Sequence, residues 1–438
     1  MIVGYSAARL AIATGSWRCS LRVGVSATAL LLAGAAISPA LAQVRDIGGG
    51  TDNRTSMTGF AEFTNGTLIL NLPQLSPVIY GGALTDGLGI LAFTKTGLGS
   101  LTLTGSGLNT YSGITTLSNG LLAAGAANVL SPNSLLTANG GFLDLAGFDQ
   151  TVAGLSGGPG GRISNSGTAA TFTINDGGIS RLYRGTITGD VAIVKSGTGR
   201  LTLGGVNTYT GGTTITAGSV SYASTNAFGS GQIAIAGVVA LLPGAPLANI
   251  VNDIFIDSTR GGALTVPAAG AGTVFSGVVS GGGSLTKTGT GGLVLLNANN
   301  TYNGGTFVSG GGGLIVGGDG SLGTGVVTVV AQSKLGVASD ININLANDFT
   351  VNALLSVTLP DTKTLTLSGN LAGAGSLALT GGDGTLLLTG DNSGLAGGFY
   401  LGGFVANGGV LGIGSATATG SGLISSGTPA GLAAYGNY

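Results

Sequence analysis

The chain repeats one sequence pattern three times, and this repeat constrains its fold more than any other feature. Each copy has a lysine before a glycine turn, then a Leu-x-Leu triplet and an Asn-Thr-Tyr turn. The lysines and tyrosines are Lys95 and Tyr111, Lys195 and Tyr209, and Lys287 and Tyr302, with lysines 100 and 92 residues apart. In a fourth, degenerate copy Leu379 replaces the lysine. Such a repeat predicts a stacked architecture in which each unit packs against its neighbours.

The composition predicts that the stacked units are short strands. The chain has 438 residues, of which 88 are glycine, 43% are hydrophobic and only 7% are charged. Disorder would require low hydrophobicity and high net charge. The apolar residues occur in short Val/Ile/Leu/Thr runs between Gly, Asn, Ser and Asp turns, which is typical of strands. In each Leu-x-Leu triplet we expect both leucines in the core and the central residue, such as Thr202, exposed.

The pattern resembles the autotransporter-associated β-strand repeat of bacterial type V secreted proteins. The resemblance lies in Lys-x-Gly-x-Gly-x-Leu-x-Leu followed by Asn-Thr-Tyr-x-Gly-Gly-Thr, and with its spacers it covers roughly residues 93–424. It implies an all-β fold, a right-handed parallel β-helix, in a passenger domain that a Gram-negative bacterium exports. The expected location is the cell surface, the outer membrane or the extracellular space. Such passengers act as adhesins or structural stalks, so this is the function that the resemblance implies.

Residues 1–42 are predicted to be a signal peptide. Three arginines precede an apolar stretch that is too short to span a bilayer, and Ala40-Leu41-Ala42 forms a small-x-small cleavage site. Cleavage is expected between Ala42 and Gln43. The one cysteine would leave with the leader, so no disulfide could hold the mature chain together.

The rest of the chain is predicted to form a cap, a coil and a tail. Residues 43–92 are predicted to be an N-terminal cap with the first rungs, and residues 93–424 a β-helix with four repeats that start near residues 93, 193, 285 and 377. Residues 425–438 are predicted to be a frayed tail. An autotransporter also needs a membrane barrel, so we expect this outer-membrane translocation barrel to be a partner outside the chain.

The size of a rung predicts what one repeat contributes to the coil. At roughly 20–25 residues per rung, one repeat should span about four rungs. Removal of a whole repeat, for example residues 195–286, should therefore shorten the coil and keep the other rungs stacked.

The recurring polar residues are predicted to be structural. The three lysines could contact an anion or a glycan, but a lysine before a glycine turn is expected to keep a strand face solvated and to prevent lateral pairing. The three tyrosines are too far apart for one sugar-binding platform. We expect each to pack over a corner with its hydroxyl hydrogen-bonded. The asparagines of the turns, Asn109, Asn207 and Asn300, should satisfy backbone groups.

The residue types that the sequence lacks limit its chemistry. Because there is no histidine, Ser-His-Asp and Cys-His sites are impossible, and zinc would lack its nitrogen and thiolate ligands. Asp319 and Asp383 lie in Gly-Gly-Asp-Gly strings, but each stands alone, whereas calcium requires about six oxygen ligands. We therefore expect no cofactor, no metal and no enzyme.

A polysaccharide lyase or glycoside hydrolase on a β-helix is the alternative function. Its catalytic groups would come from the one charged cluster in the sequence, Asp176, Arg181, Arg184 and Asp190, although a solvated loop is the simpler interpretation. The predicted mature chain keeps 12 basic against 16 acidic residues, which gives no reason to expect nucleic acid. The expected ligands are host or neighbouring-cell surface polymers, either glycan or protein.

Overall fold

Short strands make up almost all of the structure. The computed structural model describes residues 44–45, 61–64, 67–72, 78–86, 89–244, 248–268, 272–338, 340–401, 409–426 and 431–434. Within these ranges the only helical segment is a 3₁₀ turn at Ser258–Arg260. None of the described helical segments has the length and apolar character of a membrane span. The predicted signal peptide and its cleavage residues Ala40, Ala42 and Gln43 lie outside the described residues.

The strands lie in three rows, and successive strands along the chain belong to row 1, row 2 and row 3 before the chain returns to row 1. Within each row most strands pair in parallel with the strand of the next turn, and the bridge between Gly157 and Tyr183 joins the two halves of row 1. Row 1 consists of Thr67–Asn71, Ala92–Thr96, Thr115–Leu117, Leu135–Ala138, Gly154–Ser156, Arg181–Tyr183, Arg200–Leu203, Gly218–Tyr222, Val238–Pro243, Ala263–Pro267, Ser284–Thr288, Thr306–Val308, Val327–Val329, Phe349–Val351, Leu371–Gly373 and Gly394–Leu395.

Rows 2 and 3 complete each turn. Row 2 consists of Val78–Tyr80, Ser100–Leu103, Leu121–Ala124, Phe142–Asp144, Thr208–Tyr209, Ala248–Ile250, Thr273–Phe275, Leu293–Leu295, Gly313–Val316, Ser333–Val337, Leu355–Thr358, Leu377–Leu379, Phe399–Leu401 and Ile424–Ser426. Row 3 consists of Gln150–Val152, Thr213–Ile215, Ile233–Ile235, Ile254–Ile256, Val279–Ser280, Ile343–Leu345, Thr364–Leu367, Thr385–Leu388, Val410–Ile413 and Gly431–Ala434. Two long strands, Arg162–Asn175 and Thr186–Ser196, bend across both rows.

The coil is a parallel β-helix of about sixteen turns, which confirms the predicted fold. At ~4.8 Å between paired strands, sixteen turns give a rod about 75 Å long. Its interior is one continuous apolar core of leucine, isoleucine, valine and phenylalanine side chains. The Leu-x-Leu triplets behave as expected at their leucines, since Leu201 and Leu203 are each 1% exposed. The central Thr202 is half-buried rather than exposed.

The two ends of the described coil differ. At the beginning, Ala61–Thr64 pairs antiparallel with Thr67–Asn71, and Val44–Arg45 pairs antiparallel with Ala83–Leu84. At the other end, Gly431–Ala434 pairs in parallel with Val410–Ile413. The coil therefore continues into residues 425–438, the segment that the sequence predicts to be a frayed tail.

The sequence repeat is not a whole number of turns. Lys95 lies in row 1, Lys195 in row 3 and Lys287 in row 1, while Leu379 of the fourth copy lies in row 2. From Lys195 to Lys287 the chain makes four full turns and advances by one further row. The same motif therefore folds on any of the three faces, because each face offers the same alternation of inward and outward residues and the same kind of corner.

Candidate functional site

The three repeat lysines are buried, so the prediction that they solvate a strand face is wrong. Lys95, Lys195 and Lys287 are each 0% exposed. Each lies on the inward side of its strand, and its partners one turn later are Leu117, Ile215 and Val308. The sequence suggests a surface position because a lone lysine is seldom fully buried. In the structure each lysine side chain is buried, and its ammonium lies at a corner of the coil.

The ammonium groups hold the glycine turn that follows each lysine. Lys95 Nζ donates to the carbonyl oxygens of Thr96, Gly97 and Asn119 at 2.7, 2.9 and 3.3 Å. Lys195 Nζ donates to Ser196, Gly197 and Ala217 at 2.9, 2.8 and 3.4 Å. Lys287 Nζ donates to Gly289 at 2.8 Å. Each ammonium thus supplies a buried donor to one or more carbonyl groups of the tight corner.

A glycine in the next turn packs closely against the corner, with backbone carbonyls nearest and the lysine ammonium beside them in two copies. A Cβ atom on Gly120 would lie 2.7 Å from Lys95 Nζ, and one on Gly312 would lie 2.6 Å from Lys287 Nζ. In the fourth copy, a Cβ on Gly409 would lie 2.8 Å from Leu379 Cδ2. Lysine and glycine are therefore two parts of one corner that belong to adjacent turns.

The second copy differs from the others because its lysine has a carboxylate partner. Lys195 Nζ lies 2.8 Å from Asp176 Oδ2, and the two side chains are 0% and 1% exposed. The other oxygen, Asp176 Oδ1, accepts a hydrogen bond from the Gly199 amide at 2.9 Å. The interpretation of Asp176 as part of a solvated loop is therefore wrong.

The first and third copies have apolar residues where the second has Asp176. Strand register places Leu72 opposite Gly97 and Ala268 opposite Gly289, as Asp176 lies opposite Gly197. Without a counterion, burial lowers the pKa of Lys95 to about 8 and also lowers the pKa of Lys287.

The remaining members of the predicted charged cluster do not join Asp176. Asp190 is exposed at a corner, where its Oδ1 accepts from Thr210 Oγ1 at 3.3 Å. Arg184 is exposed, and Arg181 is half-buried with no hydrogen-bond partner at its Nε. Asp176 is occupied by Lys195, so it is not free to pair with Asp190 in the way that glycoside hydrolysis requires.

The repeat tyrosines are buried against a threonine of the following strand. Tyr111, Tyr209 and Tyr302 are each 0% exposed. Their hydroxyls hydrogen-bond to the Oγ1 atoms of Thr115, Thr213 and Thr306 at 2.6, 2.5 and 2.7 Å. Burial raises the pKa of Tyr111 to about 12 and raises the pKa of the other two as well. The rings contribute to the core and are inaccessible to a sugar.

The asparagine of each repeat connects three successive turns. Asn207 Oδ1 accepts from the Ile187 amide at 2.8 Å in the turn before, and its Nδ2 donates to the Ala227 carbonyl at 2.6 Å in the turn after. Asn109, Asn300 and Asn392 make the same pair of bonds. All four are 5% exposed or less. The degenerate fourth copy thus keeps this asparagine although it has lost the lysine and the tyrosine.

The two candidate calcium aspartates lie apart, Asp319 exposed and Asp383 half-buried. Asp319 Oδ1 accepts from the Asn344 amide at 2.8 Å, and the Asp383 amide donates to Asp361 Oδ1 at 2.9 Å. Among the residues that the structure describes, no group of three or more side chains could hold a metal ion.

Comparison with known proteins agrees with this geometry. A family model described as the passenger-associated-transport-repeat matches residues 93–124, 193–221 and 285–315. Over 251 residues the chain is 34% identical to the adhesin BmaC autotransporter of Brucella suis biovar 1 (strain 1330). This alignment covers 52% of the chain but only 7% of that relative. No solved structure matches significantly.

The matched segments contain the buried lysines, the Leu-x-Leu strands and the following glycines. They are therefore the units from which the coil is built. The chain carries passenger-associated-transport-repeats and is similar to an autotransporter adhesin, which supports the predicted passenger region and its export.

Proposed function

We propose that this region is both a stalk and a multivalent adhesive surface of a longer passenger. The observation that supports the proposal is the continuity of the coil, because one apolar core and a row of parallel strands run through about sixteen turns. A rod of this kind holds its surface away from the cell. It can also gain avidity from several weak contacts without a single strong site.

The similarity to an autotransporter adhesin favours a non-enzymatic role over the polysaccharide-cleaving alternative. The buried ion pair of Asp176 supports the same choice, since it removes a carboxylate from the predicted catalytic cluster. The partners of the proposed function are an outer-membrane translocation barrel, for export, and surface polymers of a host or neighbouring cell, for adhesion.

Removal of residues 195–286 tests this proposal. The deletion joins Val194 to Lys287, so that Lys287 takes the place of Lys195 in the strand that begins at Thr186. The strand Leu293–Leu295 then stacks on Arg181–Tyr183. We expect a folded rod that is shorter by about four turns, or ~20 Å, measured by small-angle X-ray scattering. Cells that display the shorter rod should adhere less than cells that display the full rod, but should still adhere.

Two outcomes of the deletion would contradict the proposal. If a folded, displayed rod loses adhesion completely, one strong site rather than a multivalent surface is responsible. If adhesion does not change at all, this part of the passenger has no adhesive role.

A further inference from the structure

Four arginines without carboxylate partners lie on three successive turns of the coil. They are Arg162, Arg181, Arg184 and Arg200. Arg181 is half-buried and the other three are exposed. Within the described ranges, the ion pairs are Lys195 with Asp176, Arg260 with Asp257 and Lys363 with Asp340, so none involves these arginines.

The four arginines lie along the two edges of row 1. Arg181 begins its row-1 strand in register with the inward-facing Leu201 and is half-buried, whereas Arg200 precedes Leu201 and is exposed. Both lie at the first edge. Arg184 directly follows that strand, and Arg162 lies opposite Thr186, two residues beyond Arg184, so both lie at the second edge. Arg184 is three positions after Arg181, and at ~3.3 Å per residue this sets the edges about 10 Å apart.

Outward-facing residues of row 1 fill the space between these edges. They are Ser156, Leu182 and Thr202, of which Leu182 lies opposite Thr202 in register. We name the four arginines together with these three residues the arginine strip. It covers three turns, and successive turns are ~4.8 Å apart.

Neighbouring groups hold the arginines in place and leave donors free. The Arg162 guanidinium lies 5.5 Å from the centre of the Phe142 ring, and its Nη2 donates to Thr188 Oγ1 at 3.2 Å. Arg184 lies over Gly204, where a Cβ atom would be 3.3 Å from Arg184 Cγ. Arg181 Nε is buried without a hydrogen-bond partner. Because a guanidinium has five N–H donors, the exposed Arg162, Arg184 and Arg200 retain donors for a ligand.

The carboxylates of the same turns do not neutralise the arginine strip. Asp176 is buried against Lys195, and Asp190 lies four residues beyond Thr186, at the corner between rows 2 and 3. Asp144 accepts hydrogen bonds from the amide and hydroxyl of Ser166.

Charge is also segregated along the sequence. Residues 154–205 contain five basic and two acidic residues, whereas residues 206–438 contain four basic and eight acidic residues. A positive surface thus lies within an otherwise acidic rod.

We propose that the arginine strip binds the carboxylate or sulfate groups of a linear anionic polysaccharide. This proposal builds on the proposed adhesive function and identifies one class of ligand for the adhesive surface. Guanidinium groups pair with such anions through two parallel hydrogen bonds. The positive charges lie on both edges and repeat at the spacing of the turns. This arrangement is complementary to an extended polymer with regularly spaced anionic groups. A folded protein partner would need a central apolar or aromatic anchor, and the centre of the arginine strip has two hydroxyl residues and one leucine.

Binding of defined polysaccharides to the purified full chain tests the proposal. The probes are heparin, which carries sulfate and carboxylate, polygalacturonate, which carries carboxylate alone, and neutral dextran, all measured by isothermal titration calorimetry. We expect heparin, polygalacturonate or both to bind and dextran not to bind. Replacing all four arginines by glutamine should weaken binding at least tenfold, and raising the salt concentration from 50 to 200 mM should weaken it further.

Two further variants make the result specific. Arg260→Gln is the matched control, because Arg260 is exposed and lies outside the arginine strip, so it should change affinity less than twofold. Thr202→Glu places a carboxylate in the centre of the strip and should abolish binding without removing an arginine. Circular dichroism checks that each variant is folded.

The proposal fails if dextran binds as well as the charged probes, or if the fourfold variant binds normally. It also fails if an acidic protein or duplex DNA binds the strip more tightly than both charged polysaccharides.

Cell adhesion, measured separately, distinguishes this proposal from the proposed function. If the purified chain binds no polysaccharide but the displaying cells adhere, only the arginine strip assignment is overturned. If the strip binds polysaccharide but the cells do not adhere, the strip assignment stands and the adhesive role fails.

Discussion

The lysine corner of the second repeat and those of the first and third have the same motif but different electrostatics. Lys195 is paired with the buried carboxylate of Asp176, whereas Lys95 and Lys287 contact only carbonyl oxygens among the described residues. All three ammonium groups nevertheless end at the same kind of glycine turn. The comparison shows that the carbonyls of the turn are sufficient to hold a buried ammonium and that the carboxylate is an addition.

This difference governs how each corner should respond to substitution. A buried ion pair adds little net stability, because desolvation of two charges offsets their attraction, but removal of one partner leaves the other charge uncompensated. Removal of an ammonium that contacts only carbonyls leaves neutral acceptors unsatisfied, which costs less.

The largest expected effect is that of Lys195→Met. It leaves Asp176 buried without a counterion and should lower the free energy of unfolding by about 3–5 kcal/mol. The matched substitution Lys95→Met should cost only about 1–3 kcal/mol. Urea denaturation of the purified chain measures both values, and equal losses would mean that Asp176 does not distinguish the two corners.

A smaller effect is expected for Asp176→Leu. This substitution puts a leucine where the first corner has Leu72, and Lys195 keeps its carbonyl contacts. The cost should therefore be only about 1–3 kcal/mol. The double variant Asp176→Leu with Lys195→Met should be more stable than Lys195→Met alone. A double-mutant cycle provides the coupling energy, and a coupling near zero would show that the two side chains act independently.

A further expected effect is the pH dependence of the first corner. The pKa of Lys95 is about 8 in the folded chain, below the ordinary value of ~10.4 that the unfolded chain should show. Between pH 8 and 10.4 the unfolded state therefore binds more protons, and the contribution of Lys95 to stability should rise as the pH rises.

The measurement is the difference in unfolding free energy between the parent chain and Lys95→Met at pH 7.5, 9 and 10.5. This difference should shift in favour of the parent chain with increasing pH. A shift in favour of Lys95→Met would show that the buried lysine is stabilised in its charged form.

The buried asparagines show how far local sequence can predict structure. Their role in satisfying turn backbone groups follows from residue type, because an asparagine has both a donor and an acceptor. Their reach over three turns does not follow, since Ile187, Asn207 and Ala227 are about twenty residues apart and meet only when the turns stack.

The sequence by itself determined the parallel coil, the inward leucines and the positions of the corners, because each depends on short-range alternation and on turn residues. Only the tertiary structure decided which face each repeat occupies. Row-1 strands begin 18 residues apart at Arg200 and Gly218 but 27 apart at Gly154 and Arg181, so the face of each copy depends on every turn before it.

The tertiary structure also decided which charges are buried and which meet. Asp176 and Lys195 are 19 residues apart, and so are Arg181 and Arg200. In both cases stacking of adjacent turns brings together residues whose separation in the sequence carries no signal. The burial of a lysine likewise depends on the carbonyls and glycine that the next turn supplies, which the residue type alone does not reveal.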